Sequence, residues 1–108
     1  MSATLARIQT LIAQRQYFIS RHALDEAEDD AIHLGELLAA MPEALTIEDY
    51  PDATRGPSVL CLVSLSNGTI VHAVWGIPKA EPNKTGLVTT LRPDLKLWSP
   101  DFMKRIAK

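Results

Sequence analysis

The sequence predicts an α+β fold in which N-terminal helices pack on one face of an antiparallel sheet of about four strands. Two observations carry this. Residues 57–78 hold two apolar runs, Ser58–Leu65 and Thr69–Ile77, rich in β-branched and aromatic residues and separated by Ser66-Asn67-Gly68; Asn-Gly between such runs is a strong hairpin signal. Residues 3–41, by contrast, carry apolar residues at helical spacing, and those stripes need a sheet face to cover them.

The hairpin is bounded by Pro57 and Pro78, which cannot donate to a ladder. With Asn67 and Gly68 as a two-residue turn, Leu65 lies opposite Ile70, Val63 opposite His72 and Cys61 opposite Val74. Opposed residues share a face, so one face carries Val59, Cys61, Val63, Leu65, Ile70, His72 and Val74. The other carries Leu60, Leu62, Ser64, Val71, Ala73, Trp75 and Ile77. Both are largely apolar, which places the hairpin centrally in its sheet.

The remaining elements follow from spacing and punctuation. Leu5, Ile8, Leu11 and Ile12 share one face of a helix over residues 3–14, capped by Ser2 or Thr4. Tyr17-Phe18-Ile19 is a short possible strand. Ser20 caps a helix from Arg21 to about Ala31, with Leu24, Ala27 and Ala31 as a thin stripe. A third helix spans Leu34 to Met41, and Pro42 ends it. Residues 44–48 form a strand, and a proline- and glycine-containing loop follows. Gly86 to Arg92 is the last strand, stopped by Pro93-Asp94, and a helical piece is expected near Phe102 to Ile106.

At 108 residues the chain is expected to form a single domain over residues 1–108. Its apolar runs are too short to span a bilayer, and no basic, then apolar, leader opens it. The lone Cys61 excludes an internal disulfide and fits a reducing compartment. A cytoplasmic protein without membrane contact is expected.

Net charge is −2, but its distribution is uneven. Residues 22–54 hold ten of the thirteen acids and no Lys or Arg, whereas residues 55–108 hold eight Lys or Arg against three acids. Either the halves neutralise each other or the basic half meets an anionic partner. The second helix concentrates the acids. Its like-charge pairs Asp25–Asp29, Glu26–Asp30, Asp25–Glu28 and Glu26–Asp29 cost about 1–2 kcal/mol together. A solvated face is the ordinary reading; pairing with Lys104, Arg105 and Lys108 is a second, and a divalent-ion site without supporting ligand spacing a third.

Candidate chemistry rests on histidines. His22 sits beside Arg21 at a helix start, where it fixes that start or acts as acid or base. His72 sits mid-strand, either as a satisfied core residue or as a partner in catalysis. An arginine near either can stabilise a developing anion. His33 lies in a turn and looks incidental. Cys61 on an apolar strand reads as a small core residue rather than a nucleophile. Trp75, Arg55 and Arg92 could form a stacking and phosphate-binding surface. No phosphate-loop, dinucleotide or metalloprotease motif is present, and no cofactor or metal is expected.

The motifs Ile19-Ser20-Arg21-His22-Ala23, Ile47-Glu48-Asp49-Tyr50-Pro51, Arg55-Gly56-Pro57, Val71-His72-Ala73-Val74-Trp75-Gly76-Ile77 and Val88-Thr89-Thr90-Leu91-Arg92-Pro93-Asp94 occur in that order, with Trp98 and Asp101-Phe102 beyond them. Together they resemble the bacterial domain-of-unknown-function family 4258, which looks like the RelE-type toxin fold, with helices on one face of a curved antiparallel sheet. The resemblance implies a toxin of a toxin–antitoxin pair: a metal-independent endoribonuclease held by a zinc-finger or helix-turn-helix antitoxin. It implies His22 and His72 as base and acid, with Arg21, Arg55, Trp75, Thr90 and Arg92 on single-stranded RNA. The alternative is a non-catalytic binding module of the same fold that contacts a protein partner. Three positions depart from the family pattern: Glu26 and Asp30 stand where many members have arginines, and Leu91 where many have tyrosine. These changes remove two cations and one aromatic from the region expected to meet RNA.

Overall fold

The computed structural model describes residues 2–94 and 96–106. It is an α+β arrangement of three α-helices and a five-stranded sheet, one strand more than expected. The elements are α1 (Ala3–Ala13), β1 (Tyr17–Ile19), α2 (Arg21–Asp29), α3 (Leu34–Ala40), a 3-10 turn (Met41–Glu43), β2 (Leu45–Tyr50), β3 (Ser58–Ser64), β4 (Ile70–Gly76) and β5 (Thr85–Leu91). The spatial order is β1-β5-β4-β3-β2. All pairs are antiparallel except β1–β5, where Tyr17–Ile19 runs parallel at the edge.

The β3–β4 register differs by one residue from the expected one. Leu62 faces His72, Cys61 faces Ala73, and Val59 faces Trp75. A two-residue turn of the favoured hairpin type needs positive φ at both residues. Only Gly68 has it, at +87°. The chain instead makes a turn closed by the Gly68 N–H on the Leu65 carbonyl at 2.9 Å, and the Leu65 N–H on the Thr69 carbonyl at 2.8 Å resumes the ladder. This is a turn followed by a left-handed glycine, and it adds a residue to the connection.

The shifted register redistributes the side chains. Val59, Cys61, Val63, Val71, Ala73 and Trp75 share one face and are buried against Leu5, Ile8, Leu11, Ala23, Ala27, Leu37 and Met41 from the helices. Leu60, Leu62, His72 and Val74 share the other. That face is covered not by a helix but by the tail, residues 96–106, through Trp98 and Phe102. The helical piece expected near Phe102–Ile106 is absent: Phe102 has φ +60°, and Trp98 bridges Arg105 as in a small hairpin.

Caps explain the helix ends. The Ser2 hydroxyl accepts from the Leu5 N–H at 3.0 Å and donates to Asp49 on β2 at 2.6 Å, tying α1 to the sheet. Ser20 accepts from the Ala23 N–H at 3.0 Å. α2 stops at Asp29, short of the expected Ala31, because Ala31 turns left-handed (φ 54°) and Ile32 bonds back to the Ala27 carbonyl at 2.7 Å. The buried stripe of α2 is therefore Ala23 and Ala27, while Leu24 is exposed.

Two glycines with positive φ give a contrast that unfolding can measure. A Cβ on Gly56 (φ +126°) would lie 2.0 Å from the Ile77 carbonyl oxygen, whereas one on Gly68 meets nothing within 4 Å. Gly56→Ala is expected to lower stability by about 3 kcal/mol or more. Gly68→Ala should lose only about 1–2 kcal/mol from its left-handed backbone. Urea midpoints of the two variants test the order.

Candidate functional site

The tail-covered face holds a cleft of about 450 Å³ lined by His72, Thr89, Arg92, Trp98 and Arg105, among others. His72 is its most enclosed polar group. Its side chain is directed from the middle of β4 toward the tail, and the residue is 3% exposed. Nε2 lies 2.7 Å from the Phe102 carbonyl oxygen. A carbonyl only accepts, so Nε2 carries the proton. The Trp98 ring meets the imidazole edge-on, with centroids 4.4 Å apart. Burial pulls the His72 pKa below the ordinary imidazole value; the Arg105 charge acts in the same direction, and the Phe102 bond opposes both.

Charged groups clasp the tail to β2. Arg105 lies 4.9 Å from the Trp98 ring centre and pairs with Glu48 at 2.9 Å. The Arg105 and Tyr50 hydrogen bonds hold the Glu48 carboxyl below the usual carboxylate range. Arg105 therefore does not neutralise the acidic helix. Lys108, the third cation of that expectation, lies outside the described residues.

α2 forms the rim on the β5 side. Asp25, Glu28 and Asp29 are exposed, as a solvated face requires, whereas Glu26 accepts from the Thr89 hydroxyl and Asp30, just past the helix, accepts from the Arg92 N–H at 2.9 Å. Arg21 pairs with Asp25 at 3.3 Å and His22 with Glu26 at 3.0 Å, each one helical turn apart. The Arg21–Asp25 bridge compensates part of the like-charge repulsion, although it is largely exposed and contributes little. Among the described residues, no group of three or more His, Cys, Asp or Glu is placed to hold a metal ion.

The expected site residues fall into four places. His72 and Arg92 line the cleft, and His22 reaches its rim through Glu26 and Thr89. Arg55 lines a neighbouring hollow on the same face, beyond Val74, while Arg21 points outward on α2. Trp75 and Thr90 are completely buried. Trp75 packs edge-on to Tyr17 in the helix-side core and offers no ring face to a base. The Thr90 hydroxyl donates to the His72 carbonyl at 2.9 Å, so it positions β4 rather than a substrate. Cys61 is buried, and desolvation pushes its thiol up to about 12, which leaves it unreactive. His33 is not incidental: its Nδ1 accepts from the Glu36 N–H at 3.4 Å and caps α3.

Residues 19–92, which carry the rim, β4, β5 and most of the cleft, match the domain of unknown function DUF4258. The chain belongs to this family. No curated protein and no solved structure matches it. The DUF4258 span includes His22, Glu26, Glu48, His72, Thr89 and Arg92, whereas Trp98, Phe102 and Arg105 lie beyond it. No helix among the described residues is long and apolar enough to cross a membrane.

Closure over His72 has a pH signature. The native state holds the ring neutral, while the unfolded chain protonates it near pH 6.5. The associated stability is full above pH 6.5 and declines as pH falls toward the lower folded-state value. Urea midpoints should fall more steeply from pH 7.5 to 5 in wild type than in His72→Gln, and His72→Ala should cost about 1–3 kcal/mol at neutral pH. Equal slopes would place the ring in solvent.

Proposed function

We propose that this chain is a binding module of RelE-type fold that contacts a protein partner, with His72 covered by its own tail. The observation that carries this is the state of His72. A general acid must come within about 2.6–3.2 Å of the proton it transfers. Here Nε2 is already engaged by the Phe102 carbonyl, under Trp98. The electrostatics favour a protein over RNA. Glu26 and Asp30 stand at the rim, and Asp94 joins Arg92 in the cleft. These acids offset the cations that a phosphate backbone would need. Exposed Asp25, Glu28 and Asp29 continue the acidic surface outward along α2, which suits a partner with a basic face. An antitoxin of zinc-finger or helix-turn-helix type is such a candidate, on the strength of the family resemblance.

The second reading is the metal-independent endoribonuclease. The His22–Glu26 pair favours it, since it puts an imidazole and a carboxylate together at the rim of the cleft that Arg92 lines. In that reading His22 and Glu26 share the proton transfers and Arg92 steadies the phosphate. His72 joins only if the tail lifts.

Purified protein is expected to leave single-stranded RNA intact, with or without magnesium, and its expression to leave growth unchanged. Coexpression with the product of the adjacent gene should yield a complex that weakens as salt rises, and by about tenfold in Asp25→Asn/Asp29→Asn. RNA cleavage or growth arrest relieved by His22→Ala would instead establish the nuclease. RNA binding driven by about three cations, Arg55 and Arg92 among them, would then fall with salt at a log–log slope of roughly −2.

A further inference from the structure

Beside the cleft, and independent of the reading above, a hollow of about 470 Å³ opens between β1, the ends of β4 and β5, and the loop of residues 53–56. Its size lies in the range of small-molecule sites, which are mostly apolar with a few placed polar groups. We propose that it binds a small apolar carboxylate, with Arg55 taking the carboxylate and the sheet face taking the apolar body.

Two glycines shape the hollow: Gly76 leaves open space, and Gly86 lets the Phe18 ring lie against the sheet as a wall. Gly76 and Gly86 are paired across β4 and β5, so two side chains are missing at one spot on the sheet. Phe18 forms one wall, lying so close over Gly86 that a Cβ there would come within 2.3 Å of its ring. Val88 is half exposed beside it. Around Gly76 the nearest atoms to an added Cβ are 3.7 Å away, so an alanine side chain would fit and take up part of the hollow.

The opposite wall is pinned. The Ile77 N–H donates to the Pro57 carbonyl at 2.8 Å, and the Lys79 N–H to the Arg55 carbonyl at 3.2 Å. This fixes the Arg55 backbone against the strand end. Among the described residues that line the hollow, Arg55 is the one ionisable group, and no described carboxylate lies within ion-pair reach of it. A single guanidinium over apolar walls matches one carboxylate, which it can grip through two parallel hydrogen bonds. A phosphate dianion would call for more positive charge than one arginine supplies.

The probes are 4-phenylbutyrate, its neutral counterpart 4-phenylbutanol, and the peptide Gly-Gly-Phe with a free or an amidated C-terminus, each titrated into isotope-labelled full-length protein. Amide shifts are expected to centre on Thr54, Gly76 and Gly86, with phenylbutyrate binding about tenfold tighter than the alcohol. Arg55→Gln, at an exposed position, should abolish that difference while the spectrum stays folded; Gly76→Ala should weaken acid and alcohol alike. Tighter binding of the free-ended peptide than of phenylbutyrate would identify a peptide C-terminus as the natural source, and the reverse a free acid. Equal affinity for acid and alcohol, no effect of Arg55→Gln, shifts centred on His72 instead, or no shift at millimolar probe would overturn the proposal. None of these outcomes depends on whether RNA or a protein partner binds at the cleft.

Discussion

The Leu65 N–H on the Thr69 carbonyl is the bond on which the arrangement turns. It sets the β3–β4 register, and the register decides that Trp75 enters the helix-side core while His72 faces the tail. A one-residue slip of β4 would exchange them, because side chains alternate along a strand. The exchange is strongly disfavoured. Burying an aromatic ring of roughly 150–250 Å² contributes about 4–6 kcal/mol. Trp75 gains this even though its Nε1–H is buried without an acceptor, an omission worth about 1–3 kcal/mol. Burial therefore outweighs the orphaned donor, and the indole anchors β4 from the helix side.

The second face depends on that same register. With Leu60, Leu62 and His72 on one side, the sheet presents an apolar strip that needs cover. The tail supplies it through Trp98, which is 8% exposed. The Glu48–Arg105 pair is too exposed to hold the tail by charge alone. Its contribution is to orient Arg105 over the indole, so that apolar cover, cation–π contact and the His72–Phe102 bond act at one place. On the far side of the cleft, Glu26 and Asp30 fasten α2 to β5. Both acids thus have structural partners here, which explains how an acidic helix sits against this sheet.

Much of this could be read from local signals. Ser2 and Ser20 as caps, Pro42 as a stop, and the apolar runs between Pro57 and Pro78 each act within a few residues, and the elements they mark are present. Asn67-Gly68 was harder. The pair signals a hairpin, but only φ at Asn67 separates a two-residue turn from a glycine bulge, and neighbouring residue types do not set it. The buried state of His72 was expected from its strand, yet through the wrong neighbours: Trp98 and Phe102 do the covering. The sequence leaves Trp75 open to either role, because a lone tryptophan on a strand serves a core or a surface equally well until register assigns its face. The pairing of Glu26 with Thr89 joins residues 63 positions apart, and no spacing rule reaches that far.

Register and tail together close His72 off from substrate. Nuclear Overhauser contacts of the His72 ring test it most directly. The ring is expected to contact the Trp98 indole, Leu60 and Leu62, with the proton resident on Nε2. Contacts to Cys61 or to α1, or a freely exchanging ring with no contact to Trp98, would contradict it.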